Sequence, residues 1–343
     1  MDSVVWMSEP LRRLLSERLA SERLQRHTRP QFVTSASELQ AATRGGKVVV
    51  FLDRTTLPGA AQRAGSVGDG PVIAICDEAL PTAISWLEPY TWVTHVISAS
   101  MLEHPLAGEH LENILRTFTS AKPRLLDWLS PSVTGRRIRL THASSRVARL
   151  EKMSEFLGNH GVSPRSVATL RDAAEELLTN AFYDAPYAAG LLKQPVPRTQ
   201  DIYLPEDRAC DLAYGCRDDL AIVRVRDPFG SLTRARLVEV LGRCARSDMQ
   251  VQVDETRGGA GLGMWRIFSG ASFVAVLVAK NRHTEILVGI TKRTGTGPKP
   301  FAFHLFFNDS EKRKFWQLSD SDAREDARQS PLDHSVAIVA KSK

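Results

Sequence analysis

Short apolar runs alternate with stretches of helical periodicity over the first part of the chain. The runs are VVWM (4–7), QFVTS (31–35), KVVVFLD (47–53), PVIAICD (71–77) and THVISAS (94–100). Between them Leu11, Leu14, Leu15 and Leu19 recur at helical spacing, as do Leu111, Ile114, Leu115 and Phe118. Continuous apolar runs of this length suit strands buried on both faces, and the three-and-four spacing suits amphipathic helices. The alternation predicts an α/β unit over 1–120, a doubly wound parallel sheet.

Residues 121–135 (AKPRLLDWLSPSVTG) carry two prolines and a glycine among small apolar clusters, and read as a connecting helix or linker rather than core. From 136 the order changes. RRIRLTHAS suits a strand and SRVARLEKMSEFLGNHG a helix closed by Gly161, after which Ser163-Pro164 opens a second helix that Pro186 stops. Strand-like runs follow at 211–216, 219–227, 272–279 and 284–292, the last two as a hairpin. Helices with a mostly antiparallel sheet predict an α+β sandwich over 136–293. Within the extension 294–343, FAFHLFFNDSEKRKFWQL is too apolar for a free tail and is expected to pack on one domain, whereas 319–343 reads as flexible.

Composition narrows the classes. With 43% hydrophobic and 24% charged residues, the 343-residue chain reads as globular. No apolar run approaches the roughly 20 residues of a membrane span, and the first residues lack a signal-peptide pattern. The four cysteines, Cys76, Cys210, Cys216 and Cys244, form no CxxC pair, which argues against a zinc site and for a reducing, cytoplasmic setting. A net charge of +6 and a pI near 9.2 come from short, interrupted basic groups without aromatic platforms, so a solvated surface is expected rather than nucleic acid.

Three local patterns carry chemistry. In RDAAEELLTNAFYDAP (171–186), Leu170, Ala174, Leu177, Leu178 and Ala181 form an apolar stripe, and Glu176 and Asn180 project away from it. Asn180 is a poor helix-interior residue, so the pair is either a solvated face or a binding element. In VRVRDPFGSL (223–232), Asp227 ends a strand before a Pro-Phe-Gly turn. It serves either that turn or a ligand amine, since a carboxylate accepts from an adenine N6 but not from a guanine O6. GGAGLGM (258–264) precedes a helix-like WRIF, an arrangement that lets backbone N–H groups approach phosphate oxygens. The chain has neither the βαβ context of a dinucleotide fingerprint nor a GxxxxGK[ST] loop.

In this order the three patterns resemble the nucleotide-binding domain shared by gyrase, the heat-shock chaperone and the histidine kinases, the GHKL superfamily, over roughly 136–293. The resemblance implies ATP and Mg²⁺ as cofactors. Asn180 would give an oxygen to the metal and Glu176 would act as general base, with Asp184 as an adjunct. Asp227 and Gly230 would meet the adenine. Gly259, Gly261, Leu262 and Gly263 would form the phosphate loop, and Arg257 would offset γ-phosphate charge. The family's Asp-x-Gly-x-Gly reads Asp227-Pro228-Phe229-Gly230-Ser231 here, with Phe229 in place of the first glycine.

The short E-L-L-T-N-A box and the strand–helix–helix entry are similar to the anti-sigma-factor serine kinases. That implies a bacterial signalling protein whose partner is a sigma factor, an anti-sigma antagonist or another signalling protein, with a homodimer left open. His142 does not sit in a phosphoacceptor context. The alternatives are a non-catalytic ATP-gated scaffold and a histidine-kinase-like enzyme acting on a partner. Residues 1–120 resemble a response-regulator receiver with Asp53 at the acceptor position. Ser8-Glu9, Cys76 and Ser98 replace the acidic pair, the hydroxyl residue and the lysine, which implies a pseudo-receiver.

Overall fold

Five of the apolar runs form parallel strands: β1 (Asp2–Trp6), β2 (Arg29–Phe32), β3 (Val49–Asp53), β4 (Val72–Cys76) and β5 (Val93–Ser98). Their order is β2-β1-β3-β4-β5, one of the two common doubly wound arrangements. Every residue of β3 and β4 is buried, as strands covered on both faces require. β2, at the edge, is short and largely exposed and contains Pro30, features that discourage pairing with another chain. Helix α1 (Glu9–Leu19) begins with Pro10 in its first turn and buries Leu11, Leu15 and Leu19. Helix α2 (Ala107–Thr119) buries Leu111, Ile114 and Leu115.

The computed structural model describes residues 1–44, 46–62, 70–129, 133–217, 219–246, 262–291, 298–308 and 339–341. These fall into two compact units, one within Met1–Pro123, Leu241–Met249 and Arg293–Leu305, the other within Arg124–Val240, Gln250–Lys292 and Phe306–Lys343. No described helix is long and apolar enough to cross a membrane.

The second unit is built on an antiparallel sheet. Its strands are β6 (Thr134–Leu140), β8 (Cys210–Arg217), β9 (Leu220–Asp227), β10 (Phe273–Ala279) and β11 (His283–Thr291), in the order β10-β11-β9-β8-β6. A short β7 (Asp201–Tyr203), between β6 and β8 in sequence, belongs to a separate two-stranded sheet. Helix α3 (Arg146–Asn159) ends before Gly161, whose φ of +79° favours glycine. Ser163 then caps α4 (Pro164–Thr179) by accepting from the Ser166 amide, with Pro164 at the first helical position. α4 packs on α3, β9 and β11 through Leu170, Ala173, Ala174, Leu177 and Leu178. Two further helices are α5 (Arg234–Ala245) and α6 (Leu262–Gly270).

Part of the expected linker is core instead. Leu125–Trp128 forms a single 3₁₀ turn that buries Leu125 and Trp128, and the Leu125 amide donates to Glu285 Oε2 at 2.9 Å. Glu285 is buried and holds Arg224, also buried, through contacts of 2.9 and 3.0 Å, with Arg226 at 3.5 Å. The amide and the two guanidinium groups together satisfy a carboxylate that burial alone would make costly.

Two late strands return to earlier elements. β12 (Ala302–Asn308) pairs antiparallel with β5 through Ala302↔Ile97, Phe303↔Val96 and His304↔His95, so the first unit's sheet is mixed. The Ser98 side chain accepts from the Phe301 amide at 2.9 Å and fixes this junction. β13 (Val339–Lys341) pairs antiparallel with β7.

Candidate functional site

The polar residues of α4 sit where the helix changes its winding. Asn180–Asp184 forms a π-helical turn between α4 and a short helix at Ala185–Ala188. Pro186 has no N–H to give the carbonyl four residues back, which accounts for a widened turn just before it. Such turns are frequent at functional sites. Glu176 and Asn180 are half-buried, and Asp184 is exposed with Arg198 at 3.5 Å. Although its side chain reaches solvent, crowding by its neighbours removes part of the Asp184 hydration and raises its pKa, Arg198 offsets this, and the nearby Glu176 charge raises it further. Glu176, Asn180 and Asp184 therefore form one polar stripe.

Both other motifs touch this helix. A Cβ at position 263 would run into the end of the Glu176 side chain, so Gly263, in the first turn of α6, lies directly against the Glu176 carboxylate of α4. Ser231 donates to the Ala185 carbonyl at 3.2 Å, which ties the turn after Asp227 to the end of the same helical segment. Leu262 opens α6 beside Gly263. Arg257, Gly259 and Gly261 lie outside the described residues.

Asp227 is buried at the end of β9. One oxygen accepts from the Phe229 and Gly230 amides at 2.8 and 3.2 Å, closing a turn in which Gly230 has a φ of +62°. Burial pushes its pKa up to about 6, against the opposing pull of these amides and of Thr284. Turn chemistry thus accounts for one oxygen of Asp227. Phe229, which replaces a glycine of the family pattern, turns inward and is buried, so its ring does not line an exposed surface.

Two residues of this neighbourhood escaped the sequence reading. Thr284 faces Asp227 across the β9–β11 ladder and hydrogen-bonds to it. Arg146 donates to Thr179 Oγ1 at 3.1 Å, approaches Glu175 at 3.7 Å and lies over the Tyr183 ring at 5.1 Å. It braces the side of α4 adjacent to the polar stripe. His142, by contrast, is exposed just beyond β6 and bridges to Tyr203.

Chemically, the helix stripe offers a carboxylate and an amide oxygen beside a glycine that lets backbone come close. Among the described residues, no three His, Cys, Asp or Glu side chains are placed to hold a metal ion. A cation here would depend on Asn180 and on the oxygens of a bound ligand.

In the first unit Asp53 closes β3 and is buried. One oxygen accepts from the amide and hydroxyl of Ser8 at 2.6 and 2.5 Å, the other from the amides of Thr55 and Thr56 at 3.1 Å and the Thr55 hydroxyl at 2.7 Å. Burial pushes its pKa up, but these hydrogen bonds together hold it below the ordinary carboxylate value. Glu9 is exposed and paired with Arg12, and Cys76 is buried with its thiol pKa pushed far up by burial. Compared with known proteins, the chain matches neither a family model nor any curated sequence.

Proposed function

We propose that the second unit binds ATP with Mg²⁺ as a GHKL-type domain, of the anti-sigma serine-kinase kind, in a bacterial partner-switching protein. The carrying observation is the convergence of three sequence-distant motifs on α4. Gly263 packs against Glu176, and Ser231 of the aspartate turn bonds to Ala185. The residues suit such a ligand. Gly263 brings α6 directly against Glu176, Asn180 offers an amide oxygen for the metal, and Asp227, held by its turn amides and by Thr284, is fixed at the end of β9. Bound ATP supplies the transferable phosphoryl group. Glu176 would take the proton of the attacking hydroxyl or water as the phosphoryl group passes to its oxygen and ADP leaves, Asn180 would help hold the metal, and Asp227 with Thr284 would read the adenine edge.

The first unit acts in this reading as a pseudo-receiver, a docking platform that is not phosphorylated. The saturated carboxylate of Asp53 supports this, because an acceptor oxygen must be free to attack. Calorimetry with ATP and GTP in Mg²⁺ tests the nucleotide assignment. ATP is expected to bind and GTP to bind more weakly; equal affinities, or no binding of either, remove it. Incubation with γ-labelled ATP and candidate antagonists then distinguishes a kinase from a nucleotide-gated scaffold.

A further inference from the structure

A groove between α3 and β6 in the second unit has a composition that neither the core nor the proposed nucleotide site uses. It encloses about 760 Å³ and is lined by Arg136, Arg149, Lys152, Phe156 and Tyr214, among others. Tyr214, on β8 opposite Arg136 in the ladder, is almost fully buried at its floor. Burial raises the pKa of its hydroxyl, and the charges of Arg136 and Arg149 pull it back, which places both guanidinium groups within electrostatic reach of that oxygen. The Phe156 ring forms an apolar wall, with the Arg136 guanidinium at 5.5 Å from its centroid and the His160 ring stacked at 4.2 Å.

The charge balance is one-sided. Arg137, also on the lining, is bound to Asp211 at 2.7 Å. Arg136, Arg149 and Lys152 make no ion pair among the described residues, and the lining holds a single carboxylate, Glu155, which is exposed. A lone carboxylate ligand would be satisfied by one arginine. Two unpaired guanidinium groups near the tyrosine hydroxyl, with Lys152 on the same lining, instead match a dianion with several acceptor oxygens. The adjacent aromatic wall matches a flat apolar group attached to it.

We propose that this groove binds a small phosphate monoester carrying an aromatic or similarly flat group, its phosphate held by Arg136, Arg149, Lys152 and the Tyr214 hydroxyl and its ring laid against the stacked Phe156–His160 pair. The proposal is independent of the ATP assignment.

Calorimetry on the full chain without Mg²⁺, using phenyl phosphate and inorganic phosphate, tests it. Phenyl phosphate is expected to bind once per chain, at least about tenfold more tightly than inorganic phosphate. Arg149→Ala and Lys152→Ala, both on the surface of α3, should each weaken it by about tenfold or more, the scale of a lost charge-assisted hydrogen bond. Tyr214→Phe keeps the buried ring and should weaken it several-fold by removing one donor. Asn180→Ala should leave it unchanged, which separates this site from the other. Absence of saturable binding, or binding indifferent to Arg149→Ala and Lys152→Ala, overturns the proposal and leaves these charges as the solvated guard of an edge strand. Equal affinity for the two phosphates overturns the aromatic part.

Discussion

Glu176 and Asn180 lie one turn apart, yet their loss should be felt differently. On the proposed reading Asn180→Ala takes away a metal ligand, and the variant is expected to abolish Mg²⁺-dependent ATP binding by calorimetry. Glu176→Ala should leave binding nearly intact and lower turnover by roughly 10²-fold or more, because a general base acts in the transition state. If the wild type shows no turnover while ATP still changes partner affinity, the scaffold reading stands in place of the kinase. Asp227 adds a pH dependence. With its pKa near 6, ATP affinity should fall as pH drops below about 6 and the carboxylate takes up a proton. Its contribution to stability has the opposite sign: present below the ordinary aspartate value and lost as pH rises through about 6. Glu176, Asn180 and Asp227 could be picked out from local patterns. Thr284 and Arg146 could not, because their roles come from partners 57 and 33 residues away that only the ladder and the helix packing bring close.

Strands of buried aliphatic residues announce themselves, which is why β3, β4, β5, β9 and β10 fall on the apolar runs. The π-helical turn at Asn180–Asp184 does not, since its cause is one missing N–H at Pro186 and its periodicity differs from α4 for barely a turn. Leu125–Trp128 was misread for a related reason. The prolines and glycine on either side of it signal a connector, while the Leu125 amide finds its partner in a carboxylate 160 residues later. That carboxylate gives a sharp test. Glu285→Ala leaves Arg224 buried without its partner and is expected to cost about 3–5 kcal/mol, read from denaturant unfolding. A loss below about 1 kcal/mol, the range of exposed pairs, would show that water reaches Arg224 after all.

Across the molecule, the two units should respond to chemistry in separate ways. Beryllofluoride or acetyl phosphate is expected to leave Asp53 unmodified by mass spectrometry and NMR, because Ser8, Thr55 and Thr56 already occupy its oxygens. A stable adduct at Asp53 would contradict the pseudo-receiver reading. Acid should weaken the first unit early. His95 and His110 are buried with pKa values pushed down to about 3 by burial, and His304, 2.9 Å from His110 through their Nε2 atoms, is also held well below the ordinary histidine value by burial. Between the ordinary histidine value and about pH 3 the unfolded chain binds more protons, so stability falls as pH falls. A melting temperature for this unit that stays flat from pH 7.5 to 5 would contradict that balance. The strand that brings His304 against His95 also fixes the order of events during synthesis. A ribosome releases β5 some 200 residues before β12, its register partner, emerges (His95↔His304). Throughout that interval the nascent sheet offers the bare edge of Val93–Ser98, a row of unpaired backbone amides and carbonyls between largely apolar side chains that any neighbouring chain can join. A fragment stopped at Pro123 never passes that stage, and its solubility rather than its fold is what truncation endangers.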